Sequence, residues 1–355
     1  MNTILGKTLA QLEELVKGLG QPRFRGRQIA EWLYQKRVTS FDEMTNLPKE
    51  LRQKLSESYT IGRTAPALTQ TSSDRTEKYL FPLLANPELQ FETVYIPDGD
   101  RATLCVSSQV GCKMNCSFCA TGKMGWIANL TSADIINQVL SMPYPDELTN
   151  MVFMGMGEPL DNYSAVAQVI EILTADYGFG WSPKRITVST IGVKEGLKKL
   201  LAEQSVHVAI SIHNAIPEER LALMPVEKAF PISTVINTLK GYDFSGQRRL
   251  SFEYILFEGI NDSKLHAERL IALLRPLDCR VNLIRYHAIP GIPYHTPSAE
   301  KVQWFEDQLN NRGLRTTTRR SRGEDISAAC GMLSTENEGE ASQPAKGGAP
   351  IETSL

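Results

Sequence analysis

The chain has 355 residues, 42% of them hydrophobic and 22% charged, which supports a sizeable core and excludes a disordered protein. Its apolar runs fall far short of a membrane span, and six cysteines in a chain of this length do not read as a disulfide framework. The opening MNTILGKTLAQLEELVKGLG reads as an amphipathic helix rather than a secretory leader, so a reduced, cytoplasmic protein with no membrane partner is expected.

Net charge is −2, which does not by itself suggest a polyanionic partner, but the charge is unevenly placed. Residues 1–60 carry ten Lys/Arg against seven Asp/Glu. Residues 1–65 read as a helical accessory unit. Residues 28–34 have helical spacing, Ser40 with Glu43 forms a capping pattern, and Pro48 suits a helix start. Arg23, Arg25, Arg27, Lys36 and Arg37 crowd around one helix. They fit a small nucleic-acid-binding module or, equally, a solvated helical cap.

Residues 66–100 change to short strands. Segments 76–84 and 91–97 alternate as a hairpin-like β-extension ended by Asp98-Gly99-Asp100. From residue 101 to 333 strands and helices alternate. Strands are predicted at 103–107, 151–155, 185–190, 207–212, 250–256 and 281–286. Helices are predicted at 132–141, 163–174, 193–202, 233–239, 263–274 and 299–309. Six such units imply a parallel sheet, and because a closed barrel wants eight, the fold class is α/β with a partial (βα)6 barrel. Arg312, Arg315, Arg319, Arg320 and Arg322 then form an acid-free basic stretch. The tail, 334–355, is acidic and rich in Gly, Ser, Pro and Ala, and is expected to be disordered.

Polar motifs follow the predicted strands. Cys112, Cys116 and Cys119 come after the first, Gly155-Met156-Gly157-Glu158-Pro159 after the second, Ser189-Thr190-Ile191-Gly192 ends the third, and Ser211-Ile212-His213-Asn214 ends the fourth. Ligands bind at the carboxyl ends of strands in such sheets, so these groups are expected on one rim. Three thiolates at CxxxCxxC spacing suit an iron–sulfur cube that normally takes four, leaving one iron open. A structural zinc site wants a second ligand pair, which the chain lacks. Inert thiols are the remaining reading.

With Phe118 before Cys119 and Gly157-Glu158-Pro159 downstream, the chain resembles the radical S-adenosylmethionine superfamily. The segments Glu92–Pro97, Arg101–Gln109 and Ser321–Gly331 sharpen this: together with the N-terminal helices they resemble the RlmN family, methyltransferases acting on carbon 2 of an adenine in 23S rRNA and tRNA. The resemblance covers nearly the whole chain up to Cys330.

It implies a radical-enzyme barrel, a [4Fe-4S] cluster on Cys112, Cys116 and Cys119, and two S-adenosylmethionine molecules per turnover. It further implies that Cys330 is methylated and carries the carbon to RNA, and that Glu92 accepts a proton. Cys105 would resolve the covalent adduct, leaving a transient disulfide bond. Gly157, Glu158, Ser189, Ser211, Ile212, His213 and His287 would contact S-adenosylmethionine. His287 stands where relatives commonly carry Asn. The expected partners are 23S rRNA, tRNA and a reductant such as flavodoxin, and a monomer is expected. Cys279, His207, His266 and His295 read as structural or surface. The sister activity on carbon 8 of the same adenine shares the cluster and both cysteines; Ser321–Asp325 favours carbon 2. An RNA-binding scaffold with a structural metal site is the reading from another class.

Overall fold

The computed structural model describes residues 2–244, 246 and 248–334. The predicted disordered tail therefore lies outside the described residues, apart from Ser334.

Strand β1 (Asn2–Thr3) opens the chain, so the first helix starts later than the sequence pattern implies. Helix α1 (Leu9–Gly18) begins at Thr8, where Thr8 and Gln11 cap each other reciprocally. Helices α2 (Phe24–Tyr34) and α3 (Lys49–Ser58) follow, and β2 (Tyr59–Thr60) pairs in parallel with β1 to close the unit. Two of the crowded basic residues turn inward to the larger domain: Arg27 bonds Asp176 at 2.8 Å and Arg37 bonds Asp146 at 2.6 Å. Arg63 adds a bond to the Leu140 carbonyl at 2.6 Å.

The β-extension is a three-stranded antiparallel meander rather than a hairpin: β3 (Leu68–Thr71), β4 (Glu77–Leu83) and β5 (Asn86–Asp98). β3 escaped sequence reading because it is a mostly exposed edge strand with no apolar alternation to mark it. β5 pairs antiparallel with β6 (Arg101–Cys105), Val94 opposite Cys105, so extension and barrel share one sheet.

A small hairpin, β7 (Gln109–Gly111) and β8 (Trp126–Asn129), brackets the cysteine loop and the short helix α4 (Ala120–Lys123). The alternation then runs α5 (Ser132–Leu140), β9 (Asn150–Phe153), α6 (Tyr163–Thr174), β10 (Ile186–Thr190), α7 (Lys194–Glu203) and β11 (His207–Ser211). It continues through α8 (Pro217–Leu223), α9 (Ile232–Leu239), β12 (Leu250–Leu256), α10 (Lys264–Leu274), β13 (Arg280–Arg285), α11 (Ala299–Asn310) and β14 (Thr316–Thr318). The ten-stranded order is β14-β13-β12-β11-β10-β9-β6-β5-β4-β3, parallel from β6 to β14. A linear order leaves the barrel partial, and β14 adds a short seventh parallel strand to the six expected.

Strand alternation decides what faces the barrel interior. On β12, Phe252, Tyr254 and Leu256 pack outward into the core, and the Tyr254 ring stacks on Phe305 of α11 at 5.5 Å. Each such buried side chain contributes about 1.5–3 kcal/mol. The alternate residues, Ser251 and Glu253, and likewise Cys105 on β6 and Asn282 on β13, are left to the lumen side.

Candidate active site

The cysteine loop is clamped at both ends. Cys112 leaves β7 with its N–H bonded to the Gly125 carbonyl at 2.9 Å, and Cys119 caps α4. Between them the backbone turns through a left-handed Asn115, φ 49°. Gly111 has to be glycine: at φ 71° a Cβ there would sit 1.8 Å from the Gly125 oxygen. Cys116 and Phe118 sink into an apolar cluster with Ile191, Leu223, Met224 and Phe257. Burial pushes the Cys112 thiol up to about 12 and raises Cys116 and Cys119 as well. A coordinated thiol is instead deprotonated outright.

Beside the loop, Glu158 is buried and its carboxylate receives three donors: Leu160 N–H at 3.0 Å, Thr190 hydroxyl at 2.6 Å and Ile191 N–H at 3.0 Å. Burial raises its pKa to about 7 against those bonds. With roughly four lone-pair positions on a carboxylate, one is left for a further donor. Gly157, at φ 94°, lets the backbone pass Gln109, where a Cβ would meet the Gln109 Cβ at 2.5 Å. Glu158 thereby ties the end of β9 to the end of β10, where Ser189 lies.

Ser211, Ile212 and His213 are gathered by Arg220, a residue the sequence reading missed. Its guanidinium donates to the Ser211 carbonyl at 3.2 Å and the Ile212 carbonyl at 3.1 Å, and pairs with Glu227. His213 holds a left-handed φ of 53° and meets Phe118 edge-on at 4.9 Å. Its Nδ1 accepts from Ile255 N–H at 3.0 Å, which leaves the ring proton on Nε2. Burial, then the charge of Arg220, lowers its pKa to about 3, so it is neutral near pH 7.

Cys105 and Cys330 share a second chamber, the barrel lumen, a cavity of about 1290 Å³ also lined by Arg319 and His287. Burial pushes Cys105 up to about 12, and the neighbouring Cys330 adds to this while Arg319 opposes it. Cys330 presents exposed surface to the lumen, yet the enclosing walls desolvate and raise its thiol, again against Arg319. The turn carrying Cys330 is bound to the cluster loop: Ala120 N–H donates to the Gly331 carbonyl at 2.8 Å, and the Thr121 hydroxyl to the Leu333 carbonyl at 2.7 Å. One thiol therefore sits between the cysteine loop and the lumen.

Arg319 is held by Glu253, at 3.4 Å. Glu253 Oε1 also accepts from Asn282 at 2.7 Å and Ser251 at 3.2 Å. Sequence reading placed Arg319 in a basic run but could not see its buried carboxylate.

Glu92 is fully buried on the face of β5 that also carries Ile96 of the lumen lining and Val94 opposite Cys105, with Lys78 Nζ at 2.7 Å and Ser334 N–H at 2.7 Å. It anchors the end of the Cys330 segment. His287 faces Ser321 at 3.0 Å, on the lumen side rather than among the Glu158 group. All six cysteines are free thiols, so the expected disulfide bond is not a feature of this fold; the resting lumen holds two separate sulfurs. Cys279 is buried. His207 accepts from Arg249 N–H, and His266 joins a capping box on α10.

The donor set fits a cube with one iron open: three thiols on one loop, Cys116 buried and Cys112 and Cys119 half-buried, beside a carboxylate with one acceptor position left. Among the described residues no three His, Cys, Asp or Glu side chains converge as a single ion requires, whereas the thiolates of a cube hold separate irons.

The partial barrel and its cysteine loop define a radical S-adenosylmethionine enzyme. Residues 106–271 match the radical SAM superfamily. A crystallised radical SAM methyltransferase from Sphaerobacter thermophilus superposes with a TM-score of 0.87 at 40% identity, covering 94% of this chain and 99% of that one. Residues 2–61 match the ribosomal RNA large subunit methyltransferase N-terminal domain. The probable dual-specificity RNA methyltransferase RlmN of Bacteroides thetaiotaomicron is 56% identical over 337 residues, 95% of this chain and 97% of that protein. The Desulfotalea psychrophila RlmN is 41% identical over 92% of this chain and 93% of its own. The chain belongs to the RlmN family of radical SAM RNA methyltransferases, for which a [4Fe-4S] cluster and S-adenosylmethionine are implied.

Proposed function

We propose that this chain methylates carbon 2 of an adenine in 23S rRNA and in tRNA, with Cys330 carrying the incoming carbon. The observation that supports this most is the pairing of Cys330 with Cys105 across one lumen, with the Cys330 turn bonded to the residue after Cys119. Carbon 2 of adenine is electron-poor and carries no acidic proton, so polar methyl transfer cannot reach it. A carrier sulfur that can be loaded and later cleaved solves that problem.

Cys112, Cys116 and Cys119 would hold the cluster, which when bound supplies the electron that turns S-adenosylmethionine into a radical source. Gly157, Glu158, Ser189, Ser211, Ile212 and His213 would hold S-adenosylmethionine, the remaining acceptor position of Glu158 meeting its ammonium. His287 would reach it only from the lumen side.

Cys330 takes a methyl group from one S-adenosylmethionine and gives up a hydrogen atom of that methyl to the radical drawn from a second. The carbon radical so formed would add to carbon 2 of the adenine, and the adduct would give up one electron, which the cluster that supplied it would take back. Attack of the Cys105 thiolate on the Cys330 sulfur breaks the sulfur–carbon bond; the released carbon keeps the electron pair and takes a proton to become the methyl group, and the transient disulfide left behind is reduced by cellular thiols. Glu92 takes the carbon 2 proton once the Ser334 segment shifts off its carboxylate. An electron carrier such as flavodoxin, a monomeric state and a cytoplasmic setting complete the proposal. Among the described residues no helix is long and apolar enough to cross a membrane.

The test is an anaerobic assay on 23S rRNA and tRNA with reconstituted wild type, Cys330→Ala and Cys105→Ala, followed by mass spectrometry of the nucleosides. Methylation lost in both variants, with a protein–RNA adduct accumulating only in Cys105→Ala, is the expected pattern. Normal methylation by Cys105→Ala overturns the role of Cys105. A methyl on carbon 8 reassigns the product.

A further inference from the structure

The lumen that holds Cys105 and Cys330 extends to the amino ends of the parallel strands, opposite the end that carries Glu158, Thr190 and His213. Its lining includes the first residues of five parallel strands: Arg101 on β6, Asn150 on β9, His207 on β11, Leu250 on β12 and Arg280 on β13. The whole lining carries nine Lys/Arg against two Asp, in a chain whose net charge is −2. Both acids are already spent: Asp98 pairs with Arg322 and Asp278 with Arg315.

Among the remaining cations Arg319 pairs with Glu253, but most are unmatched. Among the described residues Arg101, Lys184, Arg248, Arg249 and Arg280 form no ion pair with an acid; Arg101 reaches Asn150 at 3.4 Å and Arg248 the Leu201 carbonyl at 2.9 Å. Arg249 feels the like charges of Arg280 and Arg101. Arg101, Lys184, Arg249 and Arg280 are all exposed. A ring of mutually repelling cations around a cavity mouth is an unfavourable arrangement for the free protein, and a bound polyanion relieves it. The helical unit differs, because Arg23, Arg27 and Arg37 are matched to Glu13, Asp176 and Asp146.

We propose that this amino-end mouth of the barrel is the RNA-docking surface. Arg101, Lys184, Arg248, Arg249 and Arg280 contact phosphates, and the target base enters the lumen from the face opposite the Glu158 group. This rests on the RNA-methylating reading and deepens it: cofactor and RNA approach Cys330 from opposite ends, so neither has to leave for the other to bind.

The test compares the full-length, cluster-loaded wild type with Arg249→Gln/Arg280→Gln in a salt titration of binding to a single-stranded 23S rRNA fragment, read by fluorescence anisotropy. Each phosphate contact on a single strand contributes about 0.7 to the slope of log affinity against log salt. Losing two lowers the slope by about 1.4 and weakens binding roughly 25-fold at about 0.1 M salt. The pair Arg23→Gln/Arg27→Gln is expected to change affinity less than twofold. Thermal unfolding checks that the variants fold; should the double variant fail to, Lys184→Gln alone is expected to lower the slope by about 0.7.

Wild-type affinity and slope in a folded mouth variant overturn the proposal. So does an equal or larger loss in the helical-unit pair. Polyglutamate of matched charge displacing the RNA equally well would reassign the mouth to an acidic protein. Binding is read without turnover, so a wild type that methylates no RNA refutes the functional reading and leaves this comparison intact.

Discussion

Replacing Arg319 tests whether the lumen tunes its thiols. Cys105 sits near a pKa of about 12, raised by burial and by Cys330 and held down in part by Arg319. At pH 8 only about one Cys105 in ten thousand is then a thiolate, and each pH unit changes that fraction tenfold. Losing the guanidinium removes that opposition, so the Cys105 thiol rises further and both its thiolate fraction and the attack on the Cys330 sulfur fall. Arg319→Met alone would strand the Glu253 carboxylate, 3% exposed, at several kcal/mol. The informative variant is therefore Arg319→Met/Glu253→Gln, which removes both charges.

In an anaerobic single-turnover assay, decay of the protein–RNA adduct is followed on denaturing gels from pH 7 to 9. Wild-type decay is expected to quicken with pH, because the thiolate is the attacking form. The double variant should run parallel and roughly two- to fivefold slower at each pH, the loss of the Glu253 charge offsetting part of the loss of the guanidinium, with Arg319→Lys/Glu253 intact restoring most of the rate. Identical decay in a folded double variant would refute the electrostatic role of Arg319.

Two further outcomes follow from the Glu158 region. Gly157→Ala places a Cβ 2.5 Å from Gln109 at φ 94°, and is expected to destabilise the fold by about 1–3 kcal/mol, measured by denaturant unfolding. The Glu158 carboxyl is raised from 4.5 to about 7 in the fold, so between those values the folded state binds more protons than the unfolded. Stability of the iron-stripped protein is therefore expected to fall as pH rises through about 4.5 to 7, by on the order of 3 kcal/mol for this group. Glu158→Gln should flatten that window; a wild-type profile with the same slope as the variant would exclude Glu158 as its source.

Much of this molecule is written locally. The six core strands and the helices between them follow from apolar spacing, and observed boundaries such as β12 at Leu250–Leu256 and α6 at Tyr163–Thr174 coincide with the expected ones. The cysteine loop was legible because three cysteines within eight consecutive positions need no tertiary information to be recognised as a set. β3 and β14 were not, being short or exposed strands whose pairing comes from neighbours rather than from their own alternation.

Electrostatic partnership was the least legible property. Lys78 against Glu92, Glu253 against Arg319 and Arg220 against the Ser211–Ile212 carbonyls each depend on which residues a strand turns inward and which neighbour it meets. The chain by itself determined its fold class, set Cys112, Cys116 and Cys119 apart by their spacing and, through segments around Cys105 and Cys330, carried its family resemblance, because those reside in residue type and order. Only the tertiary structure decided that both sulfurs open onto one basic-mouthed lumen, that Glu92 is latched under Ser334, and that no disulfide joins the sulfurs at rest. Desolvation and charge pairing are sums over neighbours brought together from hundreds of positions apart, and no local pattern records them.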